Sequence, residues 1–113
     1  MGQEGCIFCR IVGGAIPSER VYEDDFVIGI RDISPQAPTH ILILPKIHIA
    51  SLSELDDPAL AGQLLLAAKA IALQEGLGAR GYRVATNTGE WGGQSVFHLH
   101  LHVLGGRQLK GLG

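Results

Sequence analysis

One segment of the chain alternates histidine with apolar residues, and this alternation limits the local fold more than any other feature. Residues 98–104 read His-Leu-His-Leu-His-Val-Leu. Successive side chains on a strand point to opposite faces, so a strand here would place three imidazoles on one face and Leu99, Leu101 and Val103 in the core. A lone histidine is most often a hydrogen-bonded core residue. Three in register predict a functional site, because neutral imidazole is a nucleophile, a proton carrier and a metal ligand.

Length and charge narrow the class of protein. The 113 residues suffice for a hydrophobic core, and we expect residues 1–113 to form a single domain. Nine Lys and Arg residues against eleven Asp and Glu give a net charge of −2, so no basic excess attracts nucleic acid or an anionic membrane. We expect neither a signal peptide nor a membrane span, which needs ~20 apolar residues. We therefore expect a cytoplasmic protein whose two cysteines do not form a disulfide.

The remaining patterns predict a mixed architecture. Glycine pairs, prolines and the Asp24-Asp25 pair mark the turns. The short connections favour antiparallel hairpins for most strand pairs, so we expect an α+β domain with a five-stranded, mainly antiparallel sheet. The predicted elements are a short helix over Cys6–Val12 and strands over Arg20–Glu23, Val27–Arg31, His40–Leu44, Tyr82–Asn87 and His98–Leu104.

One long helix is predicted from Pro58 to about Glu75. Asp57 suits its N-cap and proline suits the first helical position, while Gly76 or Gly78 would end it. Its large apolar residues lie nearly all the way round, and a helix of this kind needs two partners to bury it. The sheet is one partner. We expect a second copy of the chain to be the other, although an ordinary alanine-rich core helix is the alternative.

The histidine segment resembles the signature of the histidine triad family, His-φ-His-φ-His-φ-φ. The blocks Asp32–His40, Gly92–Phe97 and Gly105–Gln108 resemble blocks of the Hint branch at matching spacings. The resemblance implies a homodimer whose two sheets join into one ten-stranded sheet. It also implies an AMP-like purine nucleotide ligand and cleavage at the α-phosphate of nucleoside phosphoramidates or acyl-adenylates.

The same resemblance gives roles to four histidines. His100 would be the nucleophile that attacks the α-phosphorus, forming a nucleotidyl-histidine that water then hydrolyses without a catalytic metal. Its second ring nitrogen would donate to a backbone carbonyl. His102 would hydrogen-bond the phosphate or the bridging atom, and His98 is the first triad residue. His40 matches a family histidine that orients its neighbours or relays protons, although a purely structural histidine is an equal alternative.

Further residues match family positions around the nucleotide. Asp32 would accept hydrogen bonds from the ribose hydroxyls and Ile33 would pack on the base, although outside this motif an Asx turn would be the preferred interpretation of Asp32. A glycine-rich turn lets the backbone approach an anion closely. The residues implied on the phosphate side are Asn87, Ser95 and the backbone N–H groups of Gly93 and Gln94.

The Cys6-Ile-Phe-Cys9 segment predicts a metal site. A redox CxxC normally occurs in a thioredoxin-like βαβ context, which the pattern does not supply. Two thiolates leave two positions of a tetrahedral zinc site, and His48 and His98 are the candidates. Bacterial-type members of the family show this Cys, Cys, His, His pattern. With no open position the Zn²⁺ would be structural; two free cysteines on a short helix are the alternative.

Two other functions stay open. His98, His100 and His102 could ligate the metal of a metal-dependent hydrolase, although no nearby carboxylate completes such a site and the cysteines compete for His98. The second alternative function is a regulator that binds a nucleotide without turning it over. Eukaryotic Hint proteins often have histidine in place of Arg31 and end in a different tail, so the leaving-group preference is the property that these departures affect.

Overall fold

A five-stranded antiparallel sheet forms the middle of the protein, with one helix on each face. The computed structural model describes residue 3 and residues 5–112. This architecture confirms the predicted α+β class. The strands are β1 (Arg20–Glu23), β2 (Val27–Arg31), β3 (Thr39–Pro45), β4 (Arg83–Ala85) and β5 (Leu101–Gly105), in the spatial order β1-β2-β3-β5-β4. The helices are α1 (Ile7–Val12) and α2 (Pro58–Gln74), with a short 3₁₀ turn at Leu52–Glu54.

α2 begins at the predicted Pro58, and α1 begins at Ile7, one residue after the predicted Cys6. The carboxylate of Asp57 accepts two of the free N–H groups of α2 at 3.0 and 3.3 Å, and Pro58 occupies the first helical position. At α1 the cap is the sulfur of Cys6, which accepts the backbone N–H of Cys9 at 3.4 Å. The N-terminus of α1 therefore starts beside a thiol that is also a candidate metal ligand.

The two faces of the sheet carry separate cores. α2 covers one face, where it packs against side chains such as Ile41, Leu101 and Val103. α1 covers the other face with two apolar side chains of its own. Because side chains alternate along a strand, His40 on β3 and His102 on β5 lie on the α1 face. The candidate site is therefore built on the side of the sheet away from α2.

α2 is apolar on more than one side, as predicted. The helix buries Leu60, Leu64, Ala67, Ala68, Ile71 and Ala72 against the sheet. It leaves Leu65, Leu66 and Leu73 more than half exposed. The sheet thus covers only part of the apolar surface of α2. No helix of the described residues combines the length and the apolar character that a bilayer span requires.

The histidine-rich strand is shorter than the prediction of His98–Leu104. β5 starts only at Leu101, because its partner β3 ends at Pro45 and proline has no N–H to continue the ladder. Leu99 instead donates its N–H to the carbonyl of Ile49 at 2.6 Å. The alternation of side chains nevertheless persists, since Leu99 joins the core under α2 while the first two histidines are buried on the other side.

β4 is also shorter than the predicted Tyr82–Asn87. It ends at Ala85, and the next residue, Thr86, uses its side chain instead of a ladder bond: its Oγ1 donates to the carbonyl oxygen of His100 at 2.7 Å. The backbone around His100 is therefore held by side-chain and loop contacts rather than by the regular sheet.

Candidate functional site

Two cysteines and two histidines meet where α1 approaches the end of β3. The Nδ1 atom of His98 lies 3.4 Å from the Sγ of Cys6 and 3.5 Å from the Sγ of Cys9. The Nδ1 atom of His48 lies 3.2 Å from the Sγ of Cys9. One ligand atom from each residue falls within 4.8 Å of the other three. The structure thus brings together all four predicted ligands.

This donor set fits zinc. Bonds of about 2.3 Å to sulfur and 2.0–2.1 Å to nitrogen put neighbouring N and S ligands of a tetrahedron about 3.5 Å apart, close to the separations found here. The Nε2 of His98 donates to the carbonyl of Pro45 at 2.9 Å, so its Nδ1 keeps a lone pair that faces the thiols. Burial raises the pKa of the Cys9 thiol, so a bound cation is what would hold this sulfur as a thiolate.

His100 is buried and its ring is held from two directions. Its Nδ1 donates to the carbonyl oxygen of His98 at 2.7 Å, so the neutral ring keeps its lone pair on Nε2. The ring of Phe8 lies edge-on to it, with 5.0 Å between ring centroids and 90° between planes. The ring therefore presents one free nitrogen in a fixed direction, as a nucleophile requires.

His40 and His102 form a hydrogen-bonded pair on neighbouring strands. The backbone N–H of Gln36 donates to the Nδ1 of His40 at 3.0 Å, so neutral His40 carries its proton on Nε2. That nitrogen lies 2.9 Å from the Nδ1 of His102 and 3.5 Å from the Oδ2 of Asp32, and the shorter contact is the hydrogen bond. His102 therefore accepts on Nδ1 and carries its own proton on Nε2.

Burial keeps this pair uncharged. Burial, together with the neighbouring rings of His100 and His40, lowers the pKa of His102 to about 4. Burial also lowers the pKa of His40, although the carboxylate of Asp32 opposes that shift. Both rings are neutral at pH 7. His100 thus offers a lone pair on its Nε2, whereas His102 offers an N–H on the same ring position.

Asp32, His40 and His102 also place three possible ligand atoms close together. A metal on the Nε2 of His40 would need a lone pair there and hence a proton on Nδ1, where the N–H of Gln36 already donates. His40 could ligate only by losing that bond. The arrangement fits a hydrogen-bond chain better than a metal centre, which weighs against a metal-dependent hydrolase built on these histidines.

The loop between β2 and β3 brings Asp32 and Ile33 to the rim of the site. The Oδ1 of Asp32 accepts the backbone N–H of Ser34 at 2.7 Å, while its Oδ2 faces His40. Both interpretations of Asp32 are therefore compatible, because one oxygen forms the Asx turn and the other is directed toward the site. The side chain of Ile33 is 98% exposed, which leaves its surface open to a ligand.

The glycine-rich loop after β4 is closed by its own backbone bonds. The N–H of Gly93 donates to the carbonyl of Glu90, and the N–H of Gln94 donates to the carbonyl of Gly89, both at 3.0 Å. The expectation that these two N–H groups face a phosphate is not met in this conformation, because both hydrogens are already used. Gly93 has φ = +81°, a backbone conformation that favours glycine and makes this tight loop possible.

Gln94 and Asn87 hold the same loop in place. The buried side chain of Gln94 donates to the carbonyl of Ala50 at 2.8 Å and accepts the N–H of Gly89 at 2.9 Å. The Nδ2 of Asn87 donates to the carbonyl of Gly92 at 2.7 Å. These two side chains therefore fix the shape of the loop from inside.

Ser95 differs from its neighbour Gln94 in being exposed. It lines a shallow cavity of about 440 Å³ together with residues of the metal cluster, including Cys6 and His48. Its hydroxyl is an exposed donor of this loop on the side that faces the metal cluster. The phosphate-side residues thus divide into loop-shaping groups and one exposed hydroxyl.

Sequence reasoning missed three groups that touch the histidines. Gln36 acts through its backbone N–H, Thr86 supports the carbonyl of His100, and Phe8 packs its ring edge-on against that of His100. A backbone donor leaves no signal in residue type. The four-residue spacing from Gln36 to His40 within one motif block is the single feature that could have indicated a local turn.

Comparison with known families identifies the class of protein to which this fold and these histidines belong. A family model described as the HIT domain matches residues 13–109. The match covers most of the chain, and the chain belongs to the HIT domain family.

Individual relatives agree with this assignment. Over 109 residues the chain is 50% identical to the purine nucleoside phosphoramidase of Escherichia coli K12, covering 94% of this chain and 91% of the relative. The crystal structure of a HIT family hydrolase from Legionella pneumophila matches with a TM-score of 0.91 at 48% identity, covering 94% of this chain and 96% of that one. A zinc-bound histidine triad family protein from Mycobacterium smegmatis matches at 0.82 and 40% identity, covering 91% and 76%. This protein is thus a HIT family hydrolase.

Proposed function

We propose that this protein hydrolyses purine nucleoside phosphoramidates or acyl-adenylates at the α-phosphate, with His100 as the nucleophile. The observation that carries the proposal is the 2.7 Å bond from the Nδ1 of His100 to the carbonyl of His98, which leaves the lone pair on Nε2. The 50% identical relative named a purine nucleoside phosphoramidase supports the substrate class.

The reaction divides into two displacements. In the first, the Nε2 of His100 bonds to the α-phosphorus while the P–N or P–O bond to the leaving group breaks, and the departing amine takes up a proton from solvent. In the second, water attacks the nucleotidyl-histidine, the bond from phosphorus to His100 breaks, and the nucleotide is released. The Nε2–H of His102 donates to a phosphoryl oxygen in both steps, or to the bridging atom in the first.

The nucleotide would lie along the rim of the site. Asp32 directs one carboxylate oxygen toward the site, where it can accept from ribose hydroxyls, and exposed Ile33 offers an apolar surface to the base. On the phosphate side we assign direct contact to Ser95. Gly93 and Gln94 contribute by holding the loop that carries Ser95, since their backbone N–H groups are engaged within it. Asn87 gives one amide N–H to the loop and would have its second N–H for a phosphate oxygen.

The four-residue metal cluster would hold a structural Zn²⁺. Cys6, Cys9, His48 and His98 would be its ligands and would leave no open position for a substrate. The ion would supply only a crosslink between α1 and the ends of β3 and β5. His98 would contribute to catalysis indirectly, because its own carbonyl orients His100.

We also propose a homodimer in which two copies pair through β4. This strand is an edge of the sheet and its Val84 is 37% exposed. Its single charged side chain, Arg83, donates to the carbonyl oxygen of Lys110. The opposite edge strand, β1, carries ion-paired Arg20 and Glu23, which are typical of an edge that avoids pairing. The exposed leucines of α2 would add apolar contact area. A reducing cytoplasm would suit the two unpaired cysteines.

Turnover of adenosine 5′-phosphoramidate tests the proposal. We expect His100→Ala to lower kcat at least about 10³-fold while the protein remains folded by circular dichroism. Mass spectrometry of rapidly quenched wild-type enzyme should map an AMP adduct to His100. An adduct on another side chain, or unimpaired turnover in the variant, would overturn the mechanism.

The two rival functions give different results in the same assay. A metal-dependent hydrolase would lose turnover on chelation while its fold persisted, and the lost activity would return with metal. A nucleotide-binding regulator would bind AMP in calorimetry and turn over none of the substrates. We expect AMP binding together with turnover that does not require a metal at the reacting phosphate.

A further inference from the structure

The chain segment after β5 returns to the loop that orients His40. β5 ends at Gly105, and Gly106 has φ = +97°. A Cβ on Gly106 would lie 2.8 Å from the Cβ of Pro38, so a side chain at this position would prevent the close turn. The turn places Arg107 against the loop before β3, where its Nη2 donates to the carbonyl oxygen of Gln36 at 2.9 Å.

Gln36 is thereby held on both sides of its backbone. Its carbonyl accepts from Arg107, and its N–H donates to the Nδ1 of His40 at 3.0 Å. The Nε2 of His40 continues the chain to the Nδ1 of His102 at 2.9 Å. His102 and Arg107 are both carried by β5 and the turn after it. The hydrogen bonds therefore close a ring that starts and ends at one strand.

We propose that Arg107 is a positioning residue that sets the tautomers of His40 and His102. The inference rests on the proposed function, in which His102 presents an N–H to the substrate. When Gln36 is fixed, its N–H donates to the Nδ1 of His40, which must therefore keep its lone pair. The proton of His40 then lies on its Nε2, which donates to His102, and the proton of His102 lies on its own Nε2. Without Arg107, Gln36 can turn away, and the two rings become a mixture of tautomers.

Neither charge pairing nor burial accounts for Arg107. Among the described residues the ion-paired basic side chains are Arg20, Arg31 and Lys46, and Arg107 has carbonyl oxygens as partners instead. Its side chain is exposed, so it does not fill the core. A planar guanidinium can hold two carbonyls at once, with its second bond going to Gln108 at 3.0 Å. Arg107 therefore joins the segment after β5 to the loop before β3.

Imidazole ¹⁵N NMR of the full-length, metal-loaded protein at neutral pH tests the proposal directly. In the wild type, without substrate, we expect His40 and His102 to show a protonated Nε2 and an unprotonated Nδ1. In Arg107→Met we expect averaged ¹⁵N shifts at both rings. We also expect kcat to fall about tenfold while KM changes by less than about twofold, because the lost group acts on proton placement. Arg107→Lys should restore most of the wild-type pattern.

Arg80→Met is the matched control. It removes one positive charge from the same end of the fold, and Arg80 lies outside the hydrogen-bonded ring, so both tautomers and kcat should stay as in the wild type. If Arg107→Met is too unstable to study, Arg107→Gln, which is too short to reach the carbonyl, replaces it. A wild-type ¹⁵N pattern in the Arg107 variant overturns the proposal. Because the tautomers are read without substrate, absence of turnover in the wild type would contradict only the proposed function.

Discussion

His98 bonds to two neighbours that have different tasks. Its ring faces the thiols of Cys6 and Cys9, while its backbone carbonyl fixes the Nδ1 proton of His100. The orientation of the proposed nucleophile therefore depends on the backbone position of a proposed metal ligand and not on any side chain beside the phosphate. Only the carbonyl of His98 is needed for this, so the ring is free to bind a metal.

The partly buried ring of His102 predicts a stability change with pH. Its pKa is about 4 in the folded protein against 6.5 in the unfolded chain, so the unfolded state takes up the proton first as the pH falls. The stabilising effect is complete above pH 6.5 and is lost as the pH falls toward about 4. We expect the free energy of unfolding to drop by about 1–3 kcal/mol from this group over that range.

Urea unfolding at several pH values measures this effect, and His102→Gln is the comparison. The variant lacks the titrating ring, so its curve should be flatter than that of the wild type by this amount. Parallel curves for the two proteins would contradict the assigned burial of His102.

At the scale of single elements, α1 depends on the metal cluster. A helix of six residues does not persist alone in water. We expect chelation, or Cys9→Ser, to lower Tm by about 10 °C or more, since the four ligands tie α1 to the sheet. The amides of α1 should exchange faster at the same time. Elemental analysis should find one zinc per wild-type chain.

Arg10→Ala is the control for α1, because Arg10 lies on the exposed side of the same helix. It should leave both the zinc content and Tm close to those of the wild type. Release of zinc with no change in Tm would show that α1 is held by its apolar contacts alone.

Two glycines make a matched test of packing between α2 and the sheet. A Cβ at Gly29 in β2 would lie 2.7 Å from the Cδ1 of Ile71 and 3.2 Å from the Cβ of Tyr22. Gly29→Ala should therefore lower the free energy of unfolding by about 1–3 kcal/mol. Gly62 in α2 has open space around it, and Gly62→Ala should raise that free energy by about 0.5–1 kcal/mol. Thermal and urea unfolding of both variants measure the difference.

The sequence predicted elements whose boundaries depend on local chemistry. The Asp57-Pro58 start of α2 and the bounds of β1 and β2 agree with the prediction because caps and turns are written in neighbouring residues. The start of β5 was wrong, since it depends on Pro45, a residue of the strand that pairs with it. Pairing partners are tertiary information that a pattern within one segment does not contain.

For the site, too, local features could be predicted from the sequence and features that depend on the fold could not. Side chains with distinctive chemistry, such as Cys9 and His48, could be predicted from their type and spacing to lie together in one cluster. The protonation states of the histidines were not, because they depend on the backbone groups of Gln36 and His98. A backbone N–H or C=O is present at nearly every position, so only the fold determines which ones meet an imidazole.

At the scale of the whole molecule, the uncovered side of α2 predicts the oligomeric state. Leu66 is 67% exposed, and Val84 adds apolar surface at the free edge of the sheet. We expect the wild type to be a dimer in multi-angle light scattering. Val84→Asp or Leu66→Glu should shift it to monomer, because each would bury a charge at the interface.

Leu52→Glu is the control for this experiment, since Leu52 is about half exposed but belongs to the 3₁₀ turn and not to α2 or β4. It should remain dimeric. A wild-type protein that is monomeric at high concentration would contradict the proposed dimer, and so would an unchanged mass in both interface variants.

Pro45 has no backbone N–H, and this has an evolutionary consequence. It separates the histidine segment into a part held by tertiary contacts, with His98 and His100, and a part held in register by strand pairing, with His102. Each part can accumulate substitutions without shifting the other. A lineage could lose the proposed zinc site and rebuild the support of the proposed nucleophile while the spacing of the His40 and His102 rings was inherited intact.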